Sequence, residues 1–191
     1  GVRLVGSEMC IRDSGYRARS AYKLIEIDEK FKIFKNGISV IDLGASPGSW
    51  SQYIVRTVKS GRLVSIDLKD MEEIDNSIQI KGDFTETDSQ KKIKAFFNSK
   101  VDVVVSDMAV NTTGIKDIDA IYTGELAMEA MNFSKEMLVK EGRFVSKIFL
   151  GSSFNEIVAL GKKIFREVKV FKPKSSRKES KESFIICKIL R

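Results

Sequence analysis

No histidine occurs anywhere in the 191 residues. Its absence excludes Ser-His and Cys-His nucleophile pairs and argues against a zinc enzyme, which leans on imidazole ligands. Cysteine is almost as scarce: Cys10 and Cys187 are too few for a disulfide framework or a cysteine metal cluster, and no metal site is expected. No apolar run approaches the ~20 residues that span a bilayer. No secretory signal is recognisable at the start. These gaps lead us to expect a cytoplasmic protein that works away from membranes.

What remains is a chain with 42% hydrophobic residues, enough for one domain with a substantial core. Its formal charge of +7 is unevenly placed. Residues 162–191 hold eleven Lys or Arg against three acids, while the other 161 residues are close to neutral. A basic end on a neutral body suits an anionic partner, nucleic acid above all. A solubilising tail is the plainer reading of charge alone. Against it, "SFIICKIL" (183–190) has the pattern of a strand, which places the charges on folded structure.

The apolar periodicity alternates between the two regular types. Helices are expected over 17–35, 50–58, 88–98, 120–140 and 154–165. Strands are expected over 38–44, 62–68, 77–84, 101–107 and 142–150, with two more near 167–172 and 183–190. The polar, glycine-containing stretch 108–119 reads as a loop. This alternation implies a seven-stranded, mostly parallel sheet with helices on both faces, ending in an antiparallel pair. No repeat or linker divides the chain, so residues 15–191 are read as one domain. Residues 1–14, "GVRLVGSEMCIRDS", lack periodicity and resemble translated sequencing adapter. They are set apart as non-native.

Ligands of such sheets bind beyond the carboxyl ends of the strands, where the strand order reverses. The first strand runs into "DLGASPGSW" (42–50), where Gly44 and Gly48 let the backbone approach a ligand. The dinucleotide fingerprint G-x-G-x-x-G is missing. Asp67 ends the second strand, placed to accept from a ribose diol. Asp83 follows the third, where it could receive an adenine amino group. Taken singly, each acid is better read as a turn or capping residue. Three such features at successive strand ends describe an S-adenosylmethionine pocket more naturally than an NAD pocket.

The fifth strand raises a separate question, because Lys147 interrupts "FVSKIFL" (144–150) and an unpaired buried ammonium is costly. A structural ion pair would be the better guess for an isolated lysine. Here Asp107 ends the neighbouring fourth strand, so the two can face each other beside the cofactor. Lys23 and Glu182 stand out as further ionisable residues.

The stretches "GYRARSAYKL" (15–24), "DLGASPGSW", "SDMAVN" (106–111), "FVSKIF" (144–149) and "KPKSSRKESKES" (172–183) together resemble the FtsJ-like ribosomal RNA large-subunit 2′-O-methyltransferases. The resemblance runs from Gly15 to the end. It implies a Rossmann-like class I methyltransferase fold and a tetrad of Lys23, Asp107, Lys147 and Glu182, with Lys147 as proton acceptor. It implies S-adenosylmethionine contacts at Gly48, Trp50, Asp67, Asp83 and Asp107, to which the turn adds Gly44. The RNA-facing cations are expected to be Arg17, Arg19, Lys172, Lys174, Arg177 and Lys178. The implied reaction methylates the ribose 2′-hydroxyl of a uridine in 23S ribosomal RNA of the large subunit, and a monomer is expected. Three positions depart from the family pattern: Ser49 replaces a frequent Gly, Val110 a usual Pro, and Phe184 a frequent Tyr.

Elementary chemistry agrees with these roles. A ribose hydroxyl is a weak nucleophile that must lose its proton as it attacks a sulfonium methyl, and a lysine can take that proton only if its pKa falls, through burial or a neighbouring cation. The leaving group departs neutral, so no metal is needed. Three alternatives stand beside this reading: a transfer-RNA 2′-O-methyltransferase of the same fold, a non-catalytic RNA-binding module, and an NAD-dependent oxidoreductase.

Overall fold

The computed structural model describes residues 15–110 and 113–191. The expectation for residues 1–14, with Cys10, lies outside the described residues, as does Asn111 of the third motif.

Helix α1 (Ser20–Phe31) forms because Ala21, Leu24 and Ile27 recur every third residue and all three are fully buried. It stops at Lys32, which adopts a left-handed conformation and donates its N–H to the Asp28 carbonyl. Strand β1 (Ser39–Leu43) leads through a tight turn into α2 (Ser49–Val58), which buries Trp50, Ile54 and Val58 along one face. Then come β2 (Arg62–Asp67), β3 (Ile78–Lys81), α3 (Thr87–Phe97) and β4 (Val101–Ser106). Helix α4 (Lys116–Met137), β5 (Leu138–Phe149), α5 (Phe154–Ile164), β6 (Phe165–Phe171) and β7 (Glu182–Leu190) complete the chain.

The seven strands form one sheet in the order β3-β2-β1-β4-β5-β7-β6. Every pair from β3 to β5 is parallel, and β7 runs antiparallel to both β5 and β6. Strand alternation splits the core into two layers. Ile41, Leu43, Val64, Val104, Phe144 and Ile148 pack beneath α3, α4 and α5. Val40, Leu63, Val103, Val105, Val145 and Phe184 pack beneath α1 and α2. The order reverses between β1 and β4, which opens a crevice at their carboxyl ends.

Two boundaries differ from the pattern reading. Helix α4 begins at Lys116 rather than 120, because Asp117 and Asp119 in its first turn suit the positive end of the helix dipole. Their polarity, taken alone, looked like loop. Strand β5 begins at Leu138 rather than 142, through a bulge that sets Val101 opposite Leu138 and Val103 opposite Arg143.

Candidate active site

A cavity of about 610 Å³ occupies the crevice, a size that suits a cofactor. Four successive strand ends supply its walls: Gly44 and Pro47 after β1, Asp67 at the end of β2, Asp83 after β3, and Asp107 after β4. Gly44 has a φ of 70°, and a Cβ there would come within 2.2 Å of Met108 Cγ. Only glycine lets the β1 turn and the β4 loop close on each other here.

The two outer acids are held but not saturated. Asp67 Oδ2 accepts the Ser46 N–H at 3.0 Å and Oδ1 accepts the Lys69 N–H at 2.8 Å. Each carboxylate oxygen can take a second bond, so a ribose diol fits against this residue. Asp83 Oδ1 receives the Thr85 N–H and hydroxyl at 2.9 and 2.7 Å. Among the described residues Oδ2 receives none, which leaves it open to an amino group. Gly48 and Trp50 stand outside the cavity lining. Trp50 is 2% exposed, donates its indole N–H to the Ser20 carbonyl at 2.9 Å, and packs 5.8 Å from the Phe184 ring.

The four tetrad residues arrive as two ion pairs. Lys147 Nζ lies 3.2 Å from Asp107 Oδ1, with both side chains mostly buried. Lys23 Nζ donates to Glu182 Oε1 at 2.5 Å. Register explains the first pair. Val105 opposes Val145 and Ser106 opposes Ser146, so Asp107 continues the row to meet Lys147. Residues 103, 105 and 107 of one strand and 145 and 147 of the other share the face that α1 covers. Glu182 opposes Phe149 at the start of β7, and Lys23 projects from α1 to reach it. Burial pushes the Asp107 carboxyl above its ordinary value. Lys147 opposes that rise most strongly, Glu182 adds to it, and Lys23 opposes it weakly. The two pairs therefore feel one another.

The six basic residues divide into two groups. Arg19, Lys174, Arg177 and Lys178 are exposed. Lys172, also exposed, donates to the carbonyls of Lys178 and Ser180, bracing the β6–β7 loop that carries Lys174, Arg177 and Lys178. Ser175 ties that loop to α1 through its N–H and hydroxyl, both donated to Glu26 Oε2 at 3.2 and 2.8 Å. Arg17 likewise donates its guanidinium to backbone carbonyls.

Asp42 was not singled out from the sequence, yet it lies fully buried in β1. Its Oδ2 accepts the Ser51 hydroxyl at 2.7 Å, so Ser65, also 2.7 Å from Ser51, must donate to Ser51 in turn. Its Oδ1 is buried without a partner among the described residues. Burial raises the carboxyl from 3.8 to about 7, with smaller contributions from Asp107 and Asp67. The available signal was the same one that exposed Lys147: a charge inside an apolar strand, here "SVIDL".

Comparison with known proteins bears on this site. Residues 16–190 match the model of the FtsJ-like methyltransferase family. The Ribosomal RNA large subunit methyltransferase E of Pelagibacter ubique is 93% identical over 177 residues, covering 93% of this chain and 87% of that protein. Its namesake from Rickettsia bellii is 42% identical over 182 residues, covering 92% and 80%. Among solved structures, a Plasmodium falciparum protein provisionally named as a ribosomal RNA methyltransferase superposes with a TM-score of 0.81. It is 32% identical, and the match covers 92% of this chain and 98% of that one. Human Methyltransferase-like protein 13, crystallised with SAH, shares the fold at a TM-score of 0.66 and 12% identity, covering 90% and 83%.

Proposed function

The chain belongs to the FtsJ-like methyltransferase family, and from that premise we propose that it methylates the ribose 2′-hydroxyl of a uridine in 23S ribosomal RNA. The methyl donor in this reading is S-adenosylmethionine, which supplies an electrophilic methyl group on a sulfonium. The observation that carries the proposal is the Asp107–Lys147 pair: Asp107 lines the cavity while its partner lysine stands on the adjacent strand end.

Each residue has a distinct task. Asp67 accepts from the cofactor's ribose diol, and Asp83 Oδ2 accepts from its adenine amino group. Lys147, acting as its neutral amine, takes the proton that the RNA hydroxyl releases as it attacks. Asp107 orients that lysine. Lys23, held by Glu182, stabilises the negative charge developing on the attacking oxygen. The protein contributes alignment and electrostatics, and the driving force resides in the cofactor. Arg19, Lys174, Arg177 and Lys178 contact RNA phosphates, which position the target without reading its bases.

The Pelagibacter and Rickettsia relatives, by their names, support the large-subunit RNA as substrate. None of the described helices is long and apolar enough to cross a membrane. In this proposal the enzyme acts as a monomer in the cytoplasm, where its RNA is assembled. The test is transfer of labelled methyl from S-adenosylmethionine to unmodified large subunits, with transfer RNA and NAD as the competing substrate and cofactor. Label on the large subunits is the expected result. Label on transfer RNA alone, or uptake of NAD instead of S-adenosylmethionine, would overturn it.

A further inference from the structure

Arg17 stands in the first sequence motif among cations expected to meet RNA, but its guanidinium is already engaged. Nη1 donates to the carbonyls of Pro47 at 2.9 Å and Glu72 at 2.8 Å, and Nη2 donates to Glu73 at 2.9 Å. The side chain is 20% exposed. Its acceptors belong to two segments far apart in sequence, the turn after β1 and the loop after β2. Both segments line the cofactor cavity, through Ser46 and Pro47 on one side and Leu68 and Lys69 on the other. A rigid planar fork that donates to both holds them at a fixed separation.

Gly48 supplies a second, independent observation. At a φ of 112° it carries no side chain where a Cβ would meet Arg17 Nη1 at 2.7 Å and Ile74 Cδ1 at 2.9 Å. The glycine expected to touch cofactor therefore makes room for the arginine and for the loop that the arginine grips. A further tie runs in parallel, since Asp67 Oδ2 accepts the Ser46 N–H across the same gap. The backbone N–H of Arg17 also donates to Gln52 Oε1 at 2.9 Å, anchoring the residue to α2.

We propose that Arg17 is a positioning residue for the cofactor cavity rather than a phosphate ligand. It sets the distance between the Ser46–Pro47 turn and the 68–73 loop, and with it the aim of Asp67. The proposal rests on the cavity being the S-adenosylmethionine site.

The discriminating variant is Arg17→Lys, which keeps the charge but places its donors on one atom that cannot span both segments. Calorimetric titration with S-adenosylmethionine should show affinity weakened about ten- to hundredfold, as when an outer partner that orients a direct ligand is lost. Hydrogen exchange should accelerate at residues 69–76 while the melting transition stays cooperative. KM for the cofactor should rise more than kcat falls, and the salt dependence of RNA binding should match the wild type. Arg17→Gln should behave the same way toward cofactor. Wild-type cofactor affinity in both variants, with an RNA salt slope shallower by about one in Arg17→Gln, the variant that loses the charge, would make Arg17 a phosphate ligand and end the proposal. A wild-type protein that takes up no S-adenosylmethionine would instead sink the assignment of the cavity.

Discussion

Replacing Lys147 separates a proton acceptor from a structural cation, because arginine can serve as the second but not the first. In the native site Lys147 Nζ lies 3.2 Å from Asp107 Oδ1, with 13% and 18% of the two side chains exposed. Removing one member of a buried pair typically costs ~3–5 kcal/mol. The cost here should fall at or below the low end of that range, because burial raises the Asp107 carboxyl and favours its taking up a proton once the lysine is gone. Lys147→Ala should then melt a few degrees lower. Lys147→Arg keeps the pair and should melt close to the wild type.

Activity should follow a different order. Loss of general-base help lowers turnover by ~10²–10⁴-fold, or about 3–5 kcal/mol of barrier. Both variants should show that loss, because a guanidinium keeps its proton at any working pH. The assay is single-turnover methyl transfer at saturating cofactor across pH 6–9, with differential scanning fluorimetry on the same samples. Turnover in Lys147→Arg within a few-fold of the wild type would refute the reasoning, and a structural lysine would then be the correct account.

Asp83→Ala should weaken S-adenosylmethionine binding by ~1–3 kcal/mol, the cost of leaving a hydrogen-bond partner unsatisfied, and unchanged calorimetric affinity would remove Asp83 from the pocket. Charge reversal at Lys174, Arg177 and Lys178 should weaken RNA binding and flatten its salt dependence while leaving cofactor affinity alone. An unaltered slope would return the β6–β7 loop to a merely solvated surface. Asp42 predicts a pH effect with a definite sign. Its carboxyl is raised from 3.8 to about 7, so between those values the folded state holds a proton that the unfolded chain releases. Stability should therefore fall as pH rises through that window, by up to about 4 kcal/mol. Asp42→Asn should flatten that slope in chemical denaturation series at pH 4 to 8, and an unchanged slope would assign the effect elsewhere.

The pattern of apolar strands alternating with amphipathic helices was enough to read the sheet, its antiparallel end and the strand ends that line the cavity. The facing of Asp107 and Lys147 was legible because both sit on neighbouring parallel strands, where alternation fixes the shared face. Less legible was anything set by contacts between segments distant in sequence. Trp50 sits in the motif beside the glycines, but its burial against Phe184 depends on how β7 packs, which the motif does not encode. Arg17 and Lys172 looked like two more surface cations in basic stretches. Their commitment to backbone carbonyls comes from loop geometry that composition cannot express. The start of α4 was hidden for a local reason, since acids in a first helical turn look like loop until the dipole is considered.

The central claim is chemical: the methyl group goes to a ribose oxygen, not to a base. The most direct test is nucleoside mass spectrometry of large-subunit RNA after incubation of unmodified subunits with the protein and S-adenosylmethionine. The account predicts a single new nucleoside, 2′-O-methyluridine, which resists alkaline cleavage on its 3′ side and is absent from the Lys147→Ala reaction. A methylated base, or no modified nucleoside under conditions where the cofactor is bound, would contradict it.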